Sequence, residues 1–125
     1  MSGIKYLLDT NALISFLQGN PNLSHLTGFS SCGISIISVL EFLSFTHLEE
    51  RDKKVFFESI ETIEVIEVKL NDLELINTIT HLRKNNRIKL PDAIIAGTAI
   101  YNNAVLISND KGFTKIPSLQ IAAFN

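Results

Sequence analysis

The sequence predicts an α/β fold, a three-layer αβα sandwich with a mainly parallel central sheet. Short apolar segments alternate with helical segments of about 10–15 residues, as in repeated βαβ units. Such connections are right-handed and place helices on both faces of a parallel sheet. The chain has 125 residues, and roughly 150 residues per domain is usual, so we expect one domain spanning residues 1–125.

Local signals place the individual elements. Strands are predicted at residues 4–8, 33–37, 64–68, 104–108 and 119–124. Helices are predicted at residues 11–18, 22–26 (a short turn), 39–48, 51–63, 71–85 and 91–103. Gly19 ends the first helix, and the segment before Lys69 alternates polar with apolar residues, as a strand does. Asn71 is a good N-cap, and Pro91 suits a first helical position.

Composition excludes several classes of protein. The net charge of −2 and pI of about 5.9 do not suggest nucleic-acid binding by bulk electrostatics. The single cysteine, Cys32, cannot form an internal disulfide, which agrees with a reducing compartment. No signal peptide is visible, and the apolar stretches are shorter than the ~20 residues that a membrane span needs. We therefore expect a soluble, cytoplasmic protein with no membrane partner.

Four acidic residues lie against apolar runs instead of on charged surface faces: Asp9, Glu41, Asp92 and Asp110. A carboxylate in an apolar setting is costly unless it is paired or bound to metal. Asp9 and Asp110 follow predicted strands, whereas Glu41 and Asp92 lie in the first turn or so of predicted helices. Because function gathers at the carboxyl ends of parallel strands, we expect the fold to bring these four acids to one edge of the sheet.

Each acid also has a purely structural interpretation. Asp9 can cap the helix that follows it, Asp92 can complement a helix dipole, and Asp110 lies in an ordinary turn composition. Glu41 fits such an interpretation least well, because its neighbours are apolar on every helical face and predict a helix buried all round. An unpaired Glu there would cost on the order of several kcal/mol or stay protonated.

A shared divalent cation accounts for the four positions together. Mg²⁺ and Mn²⁺ prefer oxygen ligands and keep several waters, so a few carboxylates suffice. One or two such ions can activate water and stabilise charge on a phosphate during transfer. This pattern favours metal-dependent hydrolysis of a phosphate ester.

Other chemistries fit less well. The histidines show no zinc-ligand spacing, Cys32 has no evident histidine partner, and no glycine-rich nucleotide-binding loop occurs. Aspartyl-phosphate enzymes are the main rival, because they also place Asp at strand ends. One such family reads Asp-x-Asp after its first strand, whereas this chain reads Asp9-Thr10-Asn11.

Four segments resemble, in order, the motifs of the PIN-domain ribonucleases. They are Leu7-Leu8-Asp9-Thr10-Asn11-Ala12-Leu13, Ile37-Ser38-Val39-Leu40-Glu41-Phe42, Leu90-Pro91-Asp92-Ala93-Ile94-Ile95-Ala96 and Val105-Leu106-Ile107-Ser108-Asn109-Asp110-Lys111-Gly112-Phe113. The resemblance spans essentially the whole chain, and the small size is similar to the VapC-like toxins of bacterial toxin–antitoxin pairs. It implies a PIN-like fold, a metal-dependent endoribonuclease (a hydrolase) that cleaves RNA, and an antitoxin protein as partner.

The resemblance also implies roles for individual residues. The catalytic acids that hold Mg²⁺ or Mn²⁺ would be Asp9, Glu41, Asp92 and Asp110. Asn11 would orient Asp9 by hydrogen bonding, and Ser108 takes the place of the family's Thr beside the last acid. Gly112 replaces a frequent Asp and removes an accessory acid, but no member of the tetrad is lost.

A dense basic stretch, residues 83–89, precedes Asp92 in the sequence. A solvated helix end explains this stretch as well as a phosphate contact does. Under the second interpretation Arg87 or Lys89 contacts RNA phosphate.

The alternative function is a protein-interaction module with a PIN-like fold and little or no nuclease activity. It is motivated by a mean hydropathy of +0.23 and by four phenylalanines in neighbouring helical segments, Phe42, Phe45, Phe56 and Phe57. Such a stripe is either core or, where partly exposed, a homodimer interface or a groove for an antitoxin helix.

Overall fold

Five short parallel strands form the centre of the protein in a computed structural model that describes residues 3–29 and 31–125. The strands are β1 (Tyr6–Leu8), β2 (Cys32–Ser35), β3 (Glu64–Ile66), β4 (Val105–Ile107) and β5 (Ile121–Ala122). The helices are α1 (Thr10–Leu17), α2 (Pro21–Phe29), α3 (Ile36–Leu43), α4 (Glu50–Ser59), α5 (Leu73–Asn86) and α6 (Leu90–Tyr101). Two 3₁₀ segments cover Ile60–Thr62 and Lys111–Lys115.

The strand order is β3-β2-β1-β4-β5, and every pairing is parallel. The central strand β1 pairs with β2 on one side and with β4 on the other, so that Leu8 lies between Ile34 and Ile107. The chain therefore builds the sheet outward from β1 in both directions. In open α/β sheets, ligands bind at such a switch point, beyond the carboxyl ends of the strands.

Two apolar clusters lie on opposite faces of the sheet. Consecutive β1 residues point to opposite faces, so Leu7 packs with buried residues of α5 and α6, whereas Leu8 packs with buried residues of α1, α3 and α4. Both leucines are fully buried. This arrangement confirms the predicted three-layer αβα sandwich. No helix in residues 3–29 and 31–125 is long and apolar enough to cross a bilayer.

The boundary between β2 and α3 differs from the prediction. The predicted strand ran to residue 37, but β2 ends at Ser35, whose hydroxyl caps α3 by accepting a hydrogen bond from the N–H of Ile37 (3.2 Å). Ser at an N-cap stabilises a helix start, so the apolar pair after Ser35 is helical. Glu41 consequently lies in the second turn of α3, not the first.

The prediction that α3 is buried all round was wrong. Leu40, next to Glu41, is 53% exposed, whereas Phe42 is 5% exposed. The predicted phenylalanine stripe divides in the same way: Phe42 and Phe56 belong to the core, but Phe45 and Phe57 are exposed. The helical region is thus amphipathic, and part of its apolar surface faces outward.

Helices α5 and α6 approach closely at Gly97. A Cβ built on Gly97 would lie 2.7 Å from Cγ1 and 3.2 Å from Cα of Ile79, which is buried. We expect Gly97→Ala to destabilise the protein by about 1–2 kcal/mol, because overpacking outweighs the better helix propensity of Ala. Urea denaturation measures this, with Gly3→Ala as the control since no atom lies within 4 Å of its added Cβ. Equal midpoints for Gly97→Ala and the unsubstituted protein would contradict the prediction.

Candidate active site

Four different segments bring the predicted acids to the carboxyl edge of the sheet. Asp9 directly follows β1, and Asp110 follows β4, the strand beside it. Glu41 lies on α3, the helix that follows β2, and Asp92 lies in the first turn of α6. The parallel order of the sheet is therefore what gathers residues that are far apart in the sequence.

Asp9 is buried, with 4% of its surface exposed. Its Oδ1 accepts a hydrogen bond from the N–H of Ala12 (2.7 Å) and so caps α1. Its Oδ2 accepts a hydrogen bond from the hydroxyl of Ser108. The structural interpretation of Asp9 as a helix cap is thus correct, but a carboxylate has about four acceptor positions, so capping leaves room for a further ligand.

Ser108 connects the two acids that follow β1 and β4. Its buried hydroxyl donates to Asp9 and accepts a hydrogen bond from the N–H of Asp110 (3.0 Å). Asp110 is exposed, and its Oδ1 accepts from the N–H of Gly112 (2.8 Å), which caps the following 3₁₀ segment. Ser108 therefore sets the position of Asp9 directly and that of Asp110 through the backbone.

Glu41 is half-buried and receives a hydrogen bond from a residue that the sequence did not single out. The hydroxyl of Thr10 donates to Oε1 of Glu41 over 2.7 Å. Thr10 lies between Asp9 and Asn11 in the first motif, yet its partner is 31 residues away. Only the folded packing of α1 against α3 reveals this contact.

Electrostatic coupling joins the four carboxylates. Burial raises the pKa of Asp92, the negative charges of Asp110 and Glu41 raise it further, Lys89 lowers it, and Asp9 adds a smaller upward contribution. Burial likewise raises the pKa of Asp9, the hydrogen bonds from Ser108 and Ala12 oppose this, and Asp110 raises it. The four groups thus lie close enough to act on one another through their charges.

Within residues 3–29 and 31–125, no ion pair neutralises the negative charge of the four carboxylates. In the part of the chain that the structure describes, the ion pairs are Lys53–Glu50 and Lys69–Glu67, neither of which involves the four acids. Within the same ranges, no three His, Cys, Asp or Glu side chains stand in a ready-made metal cluster. The donors are all carboxylate oxygens, which is the ligand type that a hard divalent cation such as Mg²⁺ or Mn²⁺ prefers.

The raised pKa values predict how the stability of the metal-free protein depends on pH. Asp9 and Asp92 have pKa values above the ordinary 3.8 when folded, so protonation favours the folded state. Their stabilising contribution is complete below about pH 3.8 and is lost as the pH rises through the folded pKa values. We expect the urea midpoint in EDTA to rise as the pH falls from neutrality through the raised pKa values towards 3.8, and the Asp9→Asn/Asp92→Asn double variant to show a smaller rise. An identical rise in both proteins would contradict this prediction.

The remaining predicted site residues lie around the four acids. Lys89 is the residue before α6 and acts electrostatically on Asp92. Arg87 ends α5 in a left-handed conformation (φ 52°) and is exposed, and no described contact joins it to the four carboxylates. Asn11 is exposed, and its backbone N–H stabilises the charged form of Asp9. A role for the Asn11 side chain stays a prediction.

Comparison with known families identifies the fold. The family model of the PIN domain matches residues 6–119. The chain belongs to the PIN-domain family. PIN domains are generally nucleases, and the matched range contains all four acids. The predicted family resemblance is therefore confirmed.

Solved structures similar to this PIN domain include a toxin–antitoxin complex and VapBC assemblies. VapBC2 from Rickettsia felis, bound to a DNA fragment from its promoter, superposes with a TM-score of 0.82 at 24% identity, covering 98% of this chain and 100% of the other. A toxin–antitoxin complex from Klebsiella pneumoniae gives 0.74 at 26% identity, covering 94% and 96%. VapBC-1 from nontypeable Haemophilus influenzae gives 0.69 at 26% identity, covering 96% and 98%. Comparison with curated proteins yields no match.

Proposed function

We propose that this PIN domain is a metal-dependent endoribonuclease, the toxin of a type II toxin–antitoxin pair. The observation that carries the proposal is the meeting of four carboxylates from four segments at one sheet edge, coupled to one another and unpaired by any described ion pair. Such a concentration of negative charge is unfavourable without a cation. Stability alone does not account for this arrangement, which supports the proposal of a bound cation.

The proposed roles of the residues follow from their contacts. Asp9, Glu41, Asp92 and Asp110 would hold Mg²⁺ or Mn²⁺, which supplies an activated water and charge stabilisation at the phosphate when bound. Ser108 would fix the positions of Asp9 and Asp110 relative to each other, because it donates a hydrogen bond to Asp9 and accepts one from the N–H of Asp110. The hydrogen bond from the N–H of Ala12 would help to hold the Asp9 carboxylate in its position.

The basic residues beside the site would contact the RNA backbone. Lys89 lies close enough to affect Asp92, so its ammonium group can bind a phosphate next to the one being cleaved. Arg87 is placed two residues earlier and would extend this contact along the strand. Phosphate contacts carry little information about base sequence. We therefore propose that these residues increase the affinity for RNA and do not determine which base sequence is cleaved.

Cleavage of total cellular RNA with mapping of the fragment ends tests the proposed activity. We expect fragments in Mn²⁺ or Mg²⁺ and none in EDTA, with defined end chemistry from hydrolysis of the phosphodiester bond. A single-stranded DNA of the same base sequence distinguishes a ribonuclease from a general nuclease. Intact RNA in all metals, or equal cleavage in EDTA, would contradict the proposal.

A groove with apolar and charged walls between α1, α3 and α4 supports an antitoxin partner. The groove has a volume of about 540 Å³. Its lining is partly apolar, with Ile14, Leu17, Phe45, Leu48 and Val55, and partly polar, with Gln18, His47, Glu49, Arg51 and Asp52. Phe45 and Val55 are exposed apolar residues, and an amphipathic helix is a common ligand of such a groove. The toxin–antitoxin complexes that share this fold favour an antitoxin helix as the occupant.

The homodimer stays a separate proposal, motivated by exposed apolar residues such as Phe57. Sedimentation velocity over a range of concentrations tests it, and a monomer at every concentration would contradict it. If an antitoxin fills the groove, Phe45→Asp should leave the sedimentation behaviour unchanged. Loss of the dimer in Phe45→Asp would instead assign the groove to a second copy of the chain.

The alternative, a PIN-like interaction module with little or no nuclease activity, is favoured by the same groove. The two hypotheses differ in the effect that they predict for added Mg²⁺ or Mn²⁺. An interaction module has no need of the charge cluster and should show no metal-dependent stabilisation or cleavage.

A further inference from the structure

We propose that Thr10 is a positioning residue that fixes the carboxylate of Glu41 at the proposed cation site. The inference rests on the proposed function, because it concerns the four-carboxylate site. Its basis is the hydrogen bond of 2.7 Å from the Thr10 hydroxyl to Oε1 of Glu41. A hydroxyl in this position was not expected from the sequence, where Asn11 and Ser108 were the predicted supporting residues.

Glu41 needs a positioning contact more than Asp9 and Asp110 do. Asp9 and Asp110 have short side chains, and each accepts a hydrogen bond from a backbone N–H nearby, of Ala12 and Gly112 respectively. Glu41 lies in the second turn of α3 on a longer side chain, whose ordering costs more entropy. In the described part of the chain, the Thr10 hydroxyl is the one hydrogen-bond donor to its carboxylate.

Electrostatic repulsion acts on Glu41 in the opposite direction. Its charge contributes to the raised pKa of Asp92, so the two carboxylates are near each other. Glu41 is only half-buried, and a half-buried side chain can relieve this repulsion by turning towards solvent. The hydrogen bond from Thr10 opposes that movement, since a donor stabilises the charged carboxylate in place.

Thr10 is well suited to this role by its position and its side chain. It is the first residue of α1, directly after Asp9. The dipeptide Asp9-Thr10 therefore supplies the carboxylate of Asp9 and also holds the carboxylate of Glu41. Its β-branched side chain has restricted rotation, and it is half-buried. A single hydroxyl occupies one of about four acceptor positions on the Glu41 carboxylate, which leaves the others available to a cation.

Calorimetric titration with Mn²⁺ alone tests the proposal without depending on catalysis. Thr10→Val removes the hydroxyl at nearly constant shape and should weaken Mn²⁺ binding by roughly 10- to 100-fold, as loss of groups that orient metal ligands does. Thr10→Ser should restore most of the affinity. Thr78→Val is the matched control, because the Thr78 hydroxyl donates to the Glu74 carbonyl within α5 (2.8 Å). Equal affinity of Thr10→Val and the unsubstituted protein would overturn the proposal.

A double-variant cycle with Glu41→Gln shows whether Thr10 acts through Glu41. If it does, Thr10→Val should have little further effect on Mn²⁺ affinity once Glu41 has been replaced. The same loss of affinity in both backgrounds would overturn the proposal, because Thr10 would then act through general stability or another ligand. Thermal melts without metal accompany the cycle and show whether each variant is folded.

Metal-free crystal structures separate this inference from the proposed function. In Thr10→Val the Glu41 carboxylate should leave the position that it has in the unsubstituted protein. An unmoved carboxylate would overturn the positioning role, whatever the affinity for metal. Failure of the unsubstituted protein to bind Mn²⁺ would overturn the proposed nuclease, and the position of Glu41 in the two crystals would still decide the role of Thr10.

Discussion

Replacement of Asp9 by Asn is expected to reduce metal-dependent RNA cleavage by at least about 10²–10³-fold, the scale of losing one electrostatic group from an active site. Asn removes the negative charge from the most buried of the four acids. It keeps an oxygen that can accept the hydrogen bond from Ala12 and so maintain the cap on α1. The fold should therefore persist while activity is lost. Initial rates of cleavage of a labelled RNA in Mn²⁺ measure the effect.

A matched control shows whether the loss of cleavage requires removal of a charge at the site or follows from removal of any negative charge. Asp52 also accepts a backbone hydrogen bond at a helix start, from the N–H of Glu49 (3.1 Å), but it is exposed on α4. Asp52→Asn should cleave RNA at the rate of the unsubstituted protein. Full activity of Asp9→Asn would refute its assignment as a catalytic acid, and equal loss in both variants would show that the effect is not specific to the site.

Addition of Mn²⁺ is expected to stabilise the protein strongly against heat. Binding to the folded state alone contributes RT ln(1 + [L]/Kd), which is ~2.7 kcal/mol at a hundredfold excess over Kd. For a domain of this size that corresponds to a rise in Tm of roughly 10 °C. The gain combines ligation with relief of the mutual repulsion, which adds to burial in raising the pKa values of Asp9 and Asp92. Differential scanning calorimetry with and without Mn²⁺ gives the shift directly.

The controls for this rise in Tm are removal of the metal and substitution of acidic residues inside and outside the site. EDTA should reverse it, and Asp9→Asn should lose most of it, whereas Glu67→Gln should keep it because Glu67 is exposed and paired with Lys69. An interaction module without a cation site predicts no shift at all. A shift of equal size in Asp9→Asn would mean that Mn²⁺ binds elsewhere on the protein.

Much of the fold could be predicted because local signals and topology agree. Alternation of apolar strands with helices leads to a parallel sheet, and all five predicted strands occur. The prediction fails where the same residue types are compatible with both a strand and a helix. Residues 36 and 37 are apolar and β-branched, as in a strand, but the Ser35 cap makes them the start of α3. The N-cap of α5 is similarly Asp72, not Asn71, because Asp72 accepts the hydrogen bond from Leu75.

The candidate site was predictable as a set of acids but not as a set of contacts. Strand ends in a parallel sheet share an edge, so the meeting of Asp9 with Asp110 follows from the order of elements. The contact of Thr10 with Glu41 depends on how α1 packs on α3, which no local pattern encodes. The exposure of Leu40 and Phe45 likewise could not be read from composition, because an apolar helix face looks the same whether it meets the core or a partner.

Anomalous X-ray diffraction from crystals grown or soaked in Mn²⁺ tests most directly whether the four acids form one cation site. We expect an anomalous peak at the carboxyl edge of the sheet, within about 2–2.6 Å of oxygens from Asp9, Glu41, Asp92 and Asp110 or joined to them through bound water. No peak at this edge at millimolar Mn²⁺, or a peak only at other carboxylates such as Glu67, would contradict the account.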